Sequence, residues 1–349
     1  MPAAGSRVRA AIVVIVGLAA TAAPACGKGK EKTIPETVTV STTTPIHTPD
    51  EYLGYALDVI ADNAYYWRRV GWPAVRAEAF RRAAGAANFS DTYDAISYAI
   101  GQLGDRHSVL ETPGDSRAEV PDPIPHGLPE VVPLAGRMAR LRLPQIAGPT
   151  TTPEFRRYVE AAEKAVRSQP DACGWMVDLR DNNGGNMLAM LSAVGPILGE
   201  GDAIRIRNGR GITQRFAYKD GEIRFDGKLA PGRKNTVPLR SPLPPVAVIT
   251  DHVTASSAEF LLLAFRGRAD SRSFGEKTAG VPTANDQFRL PDGAIIRLTI
   301  AVGEDRDGKL YEGPITPDEE VAPVDTLGAA GRWLRETDAC RSRTTTTTR

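Results

Sequence analysis

The feature that most constrains the fold is a pattern that occurs twice: a short apolar strand, a tight polar turn, then a helix. Residues 245–280 read PVAVITDHVTASSAEFLLLAFRGRADSRSFGEKTAG. Residues 245–250 form an apolar run, 251–256 interrupt it with polar and small residues, and 257–266 resume at helical spacing with Phe260, Leu261, Ala264 and Phe265 on one face. A further strand follows at 271–275. The same order appears upstream, with GWMVDL at 174–179, the turn Arg180-Asp181-Asn182-Asn183-Gly184-Gly185-Asn186, and a helix over 187–198. Apolar strands of this kind are buried on both faces. The two are therefore expected side by side in one sheet of an α/β core, with both turns at the edge where sites gather in such folds.

The turns carry chemistry-bearing residues. A serine in the second turn stands at a helix N-terminus, where unpaired N–H groups and the helix dipole favour negative charge, as an acyl-transfer nucleophile needs. Ser256-Ser257-Ala258-Glu259 also fits the S-x-x-E capping box, in which Ser256 only caps the helix. These four residues do not separate the two roles. Gly184-Gly185 lets backbone approach a ligand closely. A phosphate cradle is disfavoured, because no Lys-Ser/Thr pair follows the glycines.

With 43 basic and 42 acidic side chains the net charge is +1, which gives no sign of a nucleic-acid surface or a polybasic membrane patch. No Cys/His spacing suggests zinc, and no metal or organic cofactor is expected. Residues 1–26 read as a processing segment, with Arg7 and Arg9 before the apolar run 10–20, which is too short to span a bilayer. Ala23-Pro24-Ala25-Cys26 resembles a bacterial lipobox, with Cys26 the lipidated residue; cleavage after Ala25 by an ordinary signal peptidase is the alternative. Export leads to an oxidising setting, in which Cys173 and Cys340 form a disulfide or remain two free thiols. Residues 27–49, rich in Lys, Thr and Pro, read as a tether, and 341–349 as a disordered tail.

Between these ends, 50–112 reads as an amino-terminal helical bundle, with Tyr52, Leu53, Ala56, Leu57 and Ile60 at helical spacing. It closes on Gly104-Asp105-Arg106-His107-Ser108. Residues 113–340 read as the core. A proline-rich loop over 111–133 leads into it, followed by a strand at 137–143, a helix at 153–168, strand and hairpin material at 202–239, a hairpin over 288–302 around Pro291-Asp292-Gly293, and a closing helix at 326–336.

Four motifs in this order, GDRHS, VDLRDNNGGN, TASSAEF followed by SFGEKTAG, and YEGPITPDEEV, resemble the C-terminal processing and tricorn-like serine peptidases. The resemblance spans roughly 50–324 and implies a ClpP/crotonase-like α/β core of the tail-specific-protease type. In the processing branch a lysine activates the serine, but its place here is taken by Val281, and Lys277, four positions earlier, reads as a surface lysine. The tricorn-like branch maps onto His107 as base, Ser256 as nucleophile and Glu312 as acid. Backbone N–H groups of Ser257 and of Gly184 or Gly185 are the implied oxyanion donors. Three departures stand out. Arg106 precedes the histidine where the branch has serine, with Ser108 following it. The 312–317 loop is one residue short, which makes Asp305 an alternative acid. No room exists between Pro113 and Arg137 for a PDZ domain. His47, His126 and His252 have weaker claims, and Asp178 and Arg180 read as turn braces.

The resulting expectation is an exported, lipid-anchored serine peptidase acting on extended polypeptides at the outer face of the bacterial cytoplasmic membrane, or secreted or periplasmic. The alternatives are an inactive module of the same fold that binds peptides or apolar ligands, and an envelope interaction protein that works through its helices.

Overall fold

The computed structural model of the chain describes residues 45–114, 127–240 and 242–341. The expected signal segment, Cys26, most of the tether, His126 and all of the expected tail but Arg341 lie outside the described residues. Three helices come first: α1 (Pro49–Asn63), α2 (Trp72–Arg82) and α3 (Tyr93–Gly101). A capping box starts α1, where Thr48 Oγ1 accepts from the Glu51 amide at 3.2 Å and the Glu51 carboxylate accepts from the Thr48 amide at 3.1 Å. Its Tyr52, Leu53, Ala56, Leu57 and Ile60 are fully buried.

The chain continues through β1 (Val109–Glu111), β2 (Glu130–Leu134), β3 (Met138–Arg142), α4 (Pro153–Arg167), β4 (Gly174–Asp178), α5 (Met187–Leu198) and β5 (Gly201–Asn208). Next come β6 (Thr213–Lys219), β7 (Glu222–Phe225), β8 (Lys228–Leu229), β9 (Val246–Thr250), α6 (Ser257–Phe265), β10 (Ser271–Gly275) and β11 (Thr283–Arg289). The last elements are β12 (Ile295–Glu304), β13 (Leu310–Tyr311), β14 (Glu319–Glu320), α7 (Thr326–Glu336) and α8 (Asp338–Arg341).

Two sheets organise these elements. One runs β14-β10-β9-β4-β3-β2, parallel except for β2, and the other runs β1-β12-β5-β6-β7-β8 with β11 and β13 also on β12. In the first, Trp175 pairs with Val246 and Asp178 with Ile249, so β4 and β9 end level and their turns leave by the same edge. That is the arrangement the two apolar runs predict. Alternate residues of these strands face two apolar layers: Trp175, Val177, Val246 and Val248 join the large cluster with α4, α5 and α6, while Met176, Ala247, Ile249 and Phe274 pack on Ala329, Ala330 and Leu334 of α7. The continuous apolar reading of β4 and β9 thus follows from having both faces covered.

The stretch 111–133, read as loop, contributes residues to β2, which pairs antiparallel with β3. Pro133 is tolerated because β2 is the outermost strand, where a missing N–H needs no ladder partner. Helices α1 to α3 share the large apolar cluster with the core, and Tyr52 and Tyr93 donate their hydroxyls to Asp292 in the β11–β12 turn at 2.7 and 2.5 Å. Cys173 and Cys340 are joined in a disulfide with their Cα atoms 5.1 Å apart, which decides between the two alternatives for these thiols. It ties α8 to the residue that precedes β4.

Candidate active site

The two turns are sewn together by hydrogen bonds from backbone and side chain. Ala255 N–H donates to Asn182 O at 3.0 Å, Asp181 N–H to Asp251 Oδ2 at 2.9 Å, and the Thr254 hydroxyl to Leu179 O at 2.9 Å. Asp178 holds Arg180 through two contacts of 2.8 and 2.7 Å and braces the first turn, as expected. Gly184, at φ +104°, is where the turns touch: a Cβ there would stand 2.9 Å from both Ala255 O and Ser256 Cβ. Only a residue without a side chain allows that approach.

Ser256 lies at the N-terminus of α6, partly accessible, at φ 51° and ψ −118°, a conformation that L-residues adopt only under constraint. The constraint is Glu259. This carboxylate is fully buried, and it accepts from Ser256 N–H at 2.8 Å, the Thr278 hydroxyl at 2.5 Å, and the Gly280 and Val281 amides at 2.9 Å each. Burial pushes its pKa up, and the four donors oppose that. The Ser256 side chain faces the Glu259 amide as in a capping box without completing a cap hydrogen bond.

His107 arrives from the turn after α3. Asp105 Oδ1 accepts from the His107 and Ser108 amides at 2.9 and 2.6 Å, and its Oδ2 accepts from the Ser108 hydroxyl at 2.8 Å. The imidazole is half-buried, with Nδ1 2.6 Å from Thr283 Oγ1 at the start of β11. Burial lowers its pKa from the usual 6.5, Arg297 and Arg106 add to that, and Asp105 opposes it. No hydrogen bond joins His107 to Ser256 among the described residues. The two are instead linked through the 278–281 strap, which binds Glu259 from one side and receives the Arg106 guanidinium on Ala279 O at 2.9 Å from the other.

The two candidate acids are elsewhere. Glu312 is exposed and held by Tyr65 OH at 2.9 Å and Arg69 at 2.6 Å. Asp305 is buried in its own turn, accepting from the Asp307 and Lys309 amides and from Tyr311 OH at 2.8 Å. Neither makes a hydrogen bond to the imidazole. Ser108 is likewise spent on bracing, accepting from Thr299 N–H at 3.0 Å. Of the suggested oxyanion donors, the Gly184 amide is engaged by Asn182 Oδ1 at 2.8 Å, whereas those of Ser257 and Gly185 donate to nothing among the described residues. Ser257 uses its hydroxyl on Gly185 O at 2.7 Å, which ties the start of α6 to the glycine turn. Val281 points its amide at Glu259, and Lys277 is exposed, 3.8 Å from Glu320. His252 is exposed beside Glu276, and His47 is exposed at the start of α1.

Residues 137–321, just over half of the chain, match Peptidase family S41. The chain belongs to that family. As an S41 member it is a serine peptidase, a hydrolase of peptide bonds. It is 24% identical to the nisin-resistance protein of Lactococcus lactis subsp. lactis over 288 residues, which cover 82% of this chain and 87% of that one. It is 28% identical to the carboxyl-terminal-processing protease of Synechocystis sp. over 193 residues, 54% of this chain but only 41% of the relative. Among solved structures, a lipoprotein from Streptococcus agalactiae superposes with a TM-score of 0.67 at 24% identity, covering 85% of this chain and 99% of that one. The photosystem II D1 C-terminal processing protease superposes with a TM-score of 0.59 at 16% identity, covering 84% and 99%. Both likenesses carry the fold.

Three residues that contact the candidate site are not identified as such by the sequence alone. Asp105 had a legible signal, since an aspartate two residues before His107 is the spacing of an Asx turn. Glu259 was read only as a cap, because its partners at 278–281 are distant in sequence. Thr283 had no local signal at all.

Proposed function

We propose that this S41 peptidase cleaves extended polypeptides through an acyl-enzyme on Ser256, with His107 as general base. The observation that carries the reading is the nucleophile turn: a strained serine at a helix N-terminus, flush against Gly184, with the neighbouring Ser257 and Gly185 amides left without acceptors. In this reading Nδ1–H donates to Thr283 Oγ1, so Nε2 keeps its lone pair to take the proton from Ser256 Oγ. Oγ attacks the scissile carbonyl, the oxyanion forms beside the two free amides, and His107 returns the proton to the leaving amine. Water then hydrolyses the ester by the same route. Such amides typically contribute about 3 kcal/mol each to the transition state. Asp105, whose charge favours the protonated ring, supplies the acid's electrostatic part in place of Glu312 or Asp305. Catalytic hydrogen bonds often tighten only with substrate bound, which accounts for the missing bond between His107 and Ser256.

In the same reading the peptidase lies outside the cytoplasm, anchored through a lipidated Cys26. The lipoprotein neighbour, which matches 85% of the chain, supports that location. A relative that covers 82% of the chain is named for nisin resistance, so nisin belongs among the first peptides to be offered.

Intact-mass spectrometry after treatment with a fluorophosphonate tests the reading. One adduct on the wild type, absent from Ser256→Ala and His107→Ala, is expected. A folded wild type that takes no label and cleaves no peptide would overturn it and leave a binding module for peptides or apolar ligands.

A further inference from the structure

Arg106 stands where the resembled branch has serine, and the histidine turn leans on it. Its guanidinium reaches across 173 residues of sequence to donate to Ala279 O at 2.9 Å, with Gly280 O at 3.5 Å. Those carbonyls belong to a strap, 278–281, whose four amides are all committed: Thr278 to Ile315 O at 3.2 Å, Ala279 to Thr254 O at 2.9 Å, and Gly280 and Val281 to Glu259. The strap cannot slide away, because Gly280, at φ +85°, has Pro314 where a Cβ would go, 2.4 Å from its Cδ. Glu259 carries the connection on to Ser256 N–H, and Thr283, two residues beyond the strap, meets His107 Nδ1.

Serine and histidine therefore have no bond of their own but share one frame. On the serine side the frame is closed by a buried carboxylate with four donors. On the histidine side, among the described residues, the hydrogen-bonded link to the strap is the exposed Arg106 guanidinium. We propose that Arg106 is a positioning residue, which seats the histidine turn on the strap that Glu259 locks to the nucleophile, so that His107 and Ser256 are held at working distance as one unit. One guanidinium nitrogen, Nη2, faces both adjacent carbonyls, at a reach from the histidine turn that a short hydroxyl side chain does not have. This rests on the Ser256–His107 reading above.

The charge of Arg106 also bears on the imidazole. The groups that act on the ring are Asp105, which favours protonation, and Arg297 and Arg106, which oppose it. Positioning and charge can then be separated with two substitutions at one exposed site.

The test is the rate of fluorophosphonate labelling of the full purified chain, followed by intact mass from about pH 5 to 9. The variants are Arg106→Met and Arg106→Lys, with Arg81→Met as a control for charge removal on the exposed face of α2. Arg106→Met should label on the order of ten- to a hundredfold more slowly, with thermal unfolding unchanged and the acid-limb midpoint moved to higher pH. Arg106→Lys should keep the wild-type midpoint but regain only part of the rate. Wild-type rate and midpoint in Arg106→Met would overturn the proposal, as would a slowed rate matched by an equal loss of thermal stability. A wild type that takes no label would instead overturn the reading of Ser256 on which it stands.

Discussion

Burial holds the His107 imidazole below its usual value of 6.5, and Arg297 and Arg106 push the same way while Asp105 opposes them. The neutral ring is the form that can accept a proton. Its folded value is depressed, so the neutral form is present throughout the range above 6.5 and persists somewhat below it. The acid limb of the labelling rate should therefore fall below pH 6.5, and a midpoint above that value would contradict the burial argument. The same shift links to folding: it contributes stability above pH 6.5 that is lost as pH falls through the folded value. Thr283 shares control of the ring. Thr283→Val removes the Nδ1 partner without changing side-chain shape much, and it should cost about 1 kcal/mol of stability together with a loss of roughly tenfold in labelling rate. Equal rates in the two proteins would show that the ring is oriented by Asp105 and its turn alone.

At the scale of elements, the level ends of β4 and β9 decide where the site is, and Gly184 decides how close the two turns come. Gly184→Ala would add a Cβ 2.9 Å from Ala255 O and Ser256 Cβ at a backbone angle L-residues avoid. Destabilisation on the order of 1–3 kcal/mol is expected, with labelling abolished because the nucleophile turn must move. Chemical denaturation and the labelling rate check both. Retained labelling would mean that the seam between the turns has slack. The seam also bears on the proposed oxyanion donors, since Asn182 Oδ1 takes the Gly184 amide while the Gly185 amide donates to nothing among the described residues.

Over the whole molecule, the amino-terminal helices and the α/β core share one apolar cluster, so α1 to α3 are not free to act apart from the sheets. Tyr52 and Tyr93 meet on Asp292, at the tip of the hairpin whose first strand carries Thr283. At the opposite side, the disulfide closes a sequence separation of 167 residues and fastens α8 at the end of β4 remote from the turns. Cys340→Ser should lower unfolding free energy by roughly 2–4 kcal/mol while the labelling rate at ordinary temperature stays near that of the wild type. A large loss of labelling in a still-folded Cys340→Ser would show that the C-terminal helices reach the site.

Sequence by itself determined what depends on near neighbours. Apolar runs and helical spacing defined β4, β9, α5, α6 and α7 almost to the residue, Ser256 and Glu259 marked the start of α6, and the Pro291-Asp292-Gly293 hairpin was plain. These follow from local periodicity and turn chemistry, which act over a few residues. Tertiary structure alone decided which groups meet. His107 and Thr283 are 176 residues apart, Glu259 gathers donors 19 to 22 residues downstream, and Glu312 bonds Tyr65 and Arg69 in preference to the histidine its motif suggested. The physical reason is that a hydrogen bond selects its partner by distance and direction after packing has placed both ends, and neither quantity is written in the spacing of a motif.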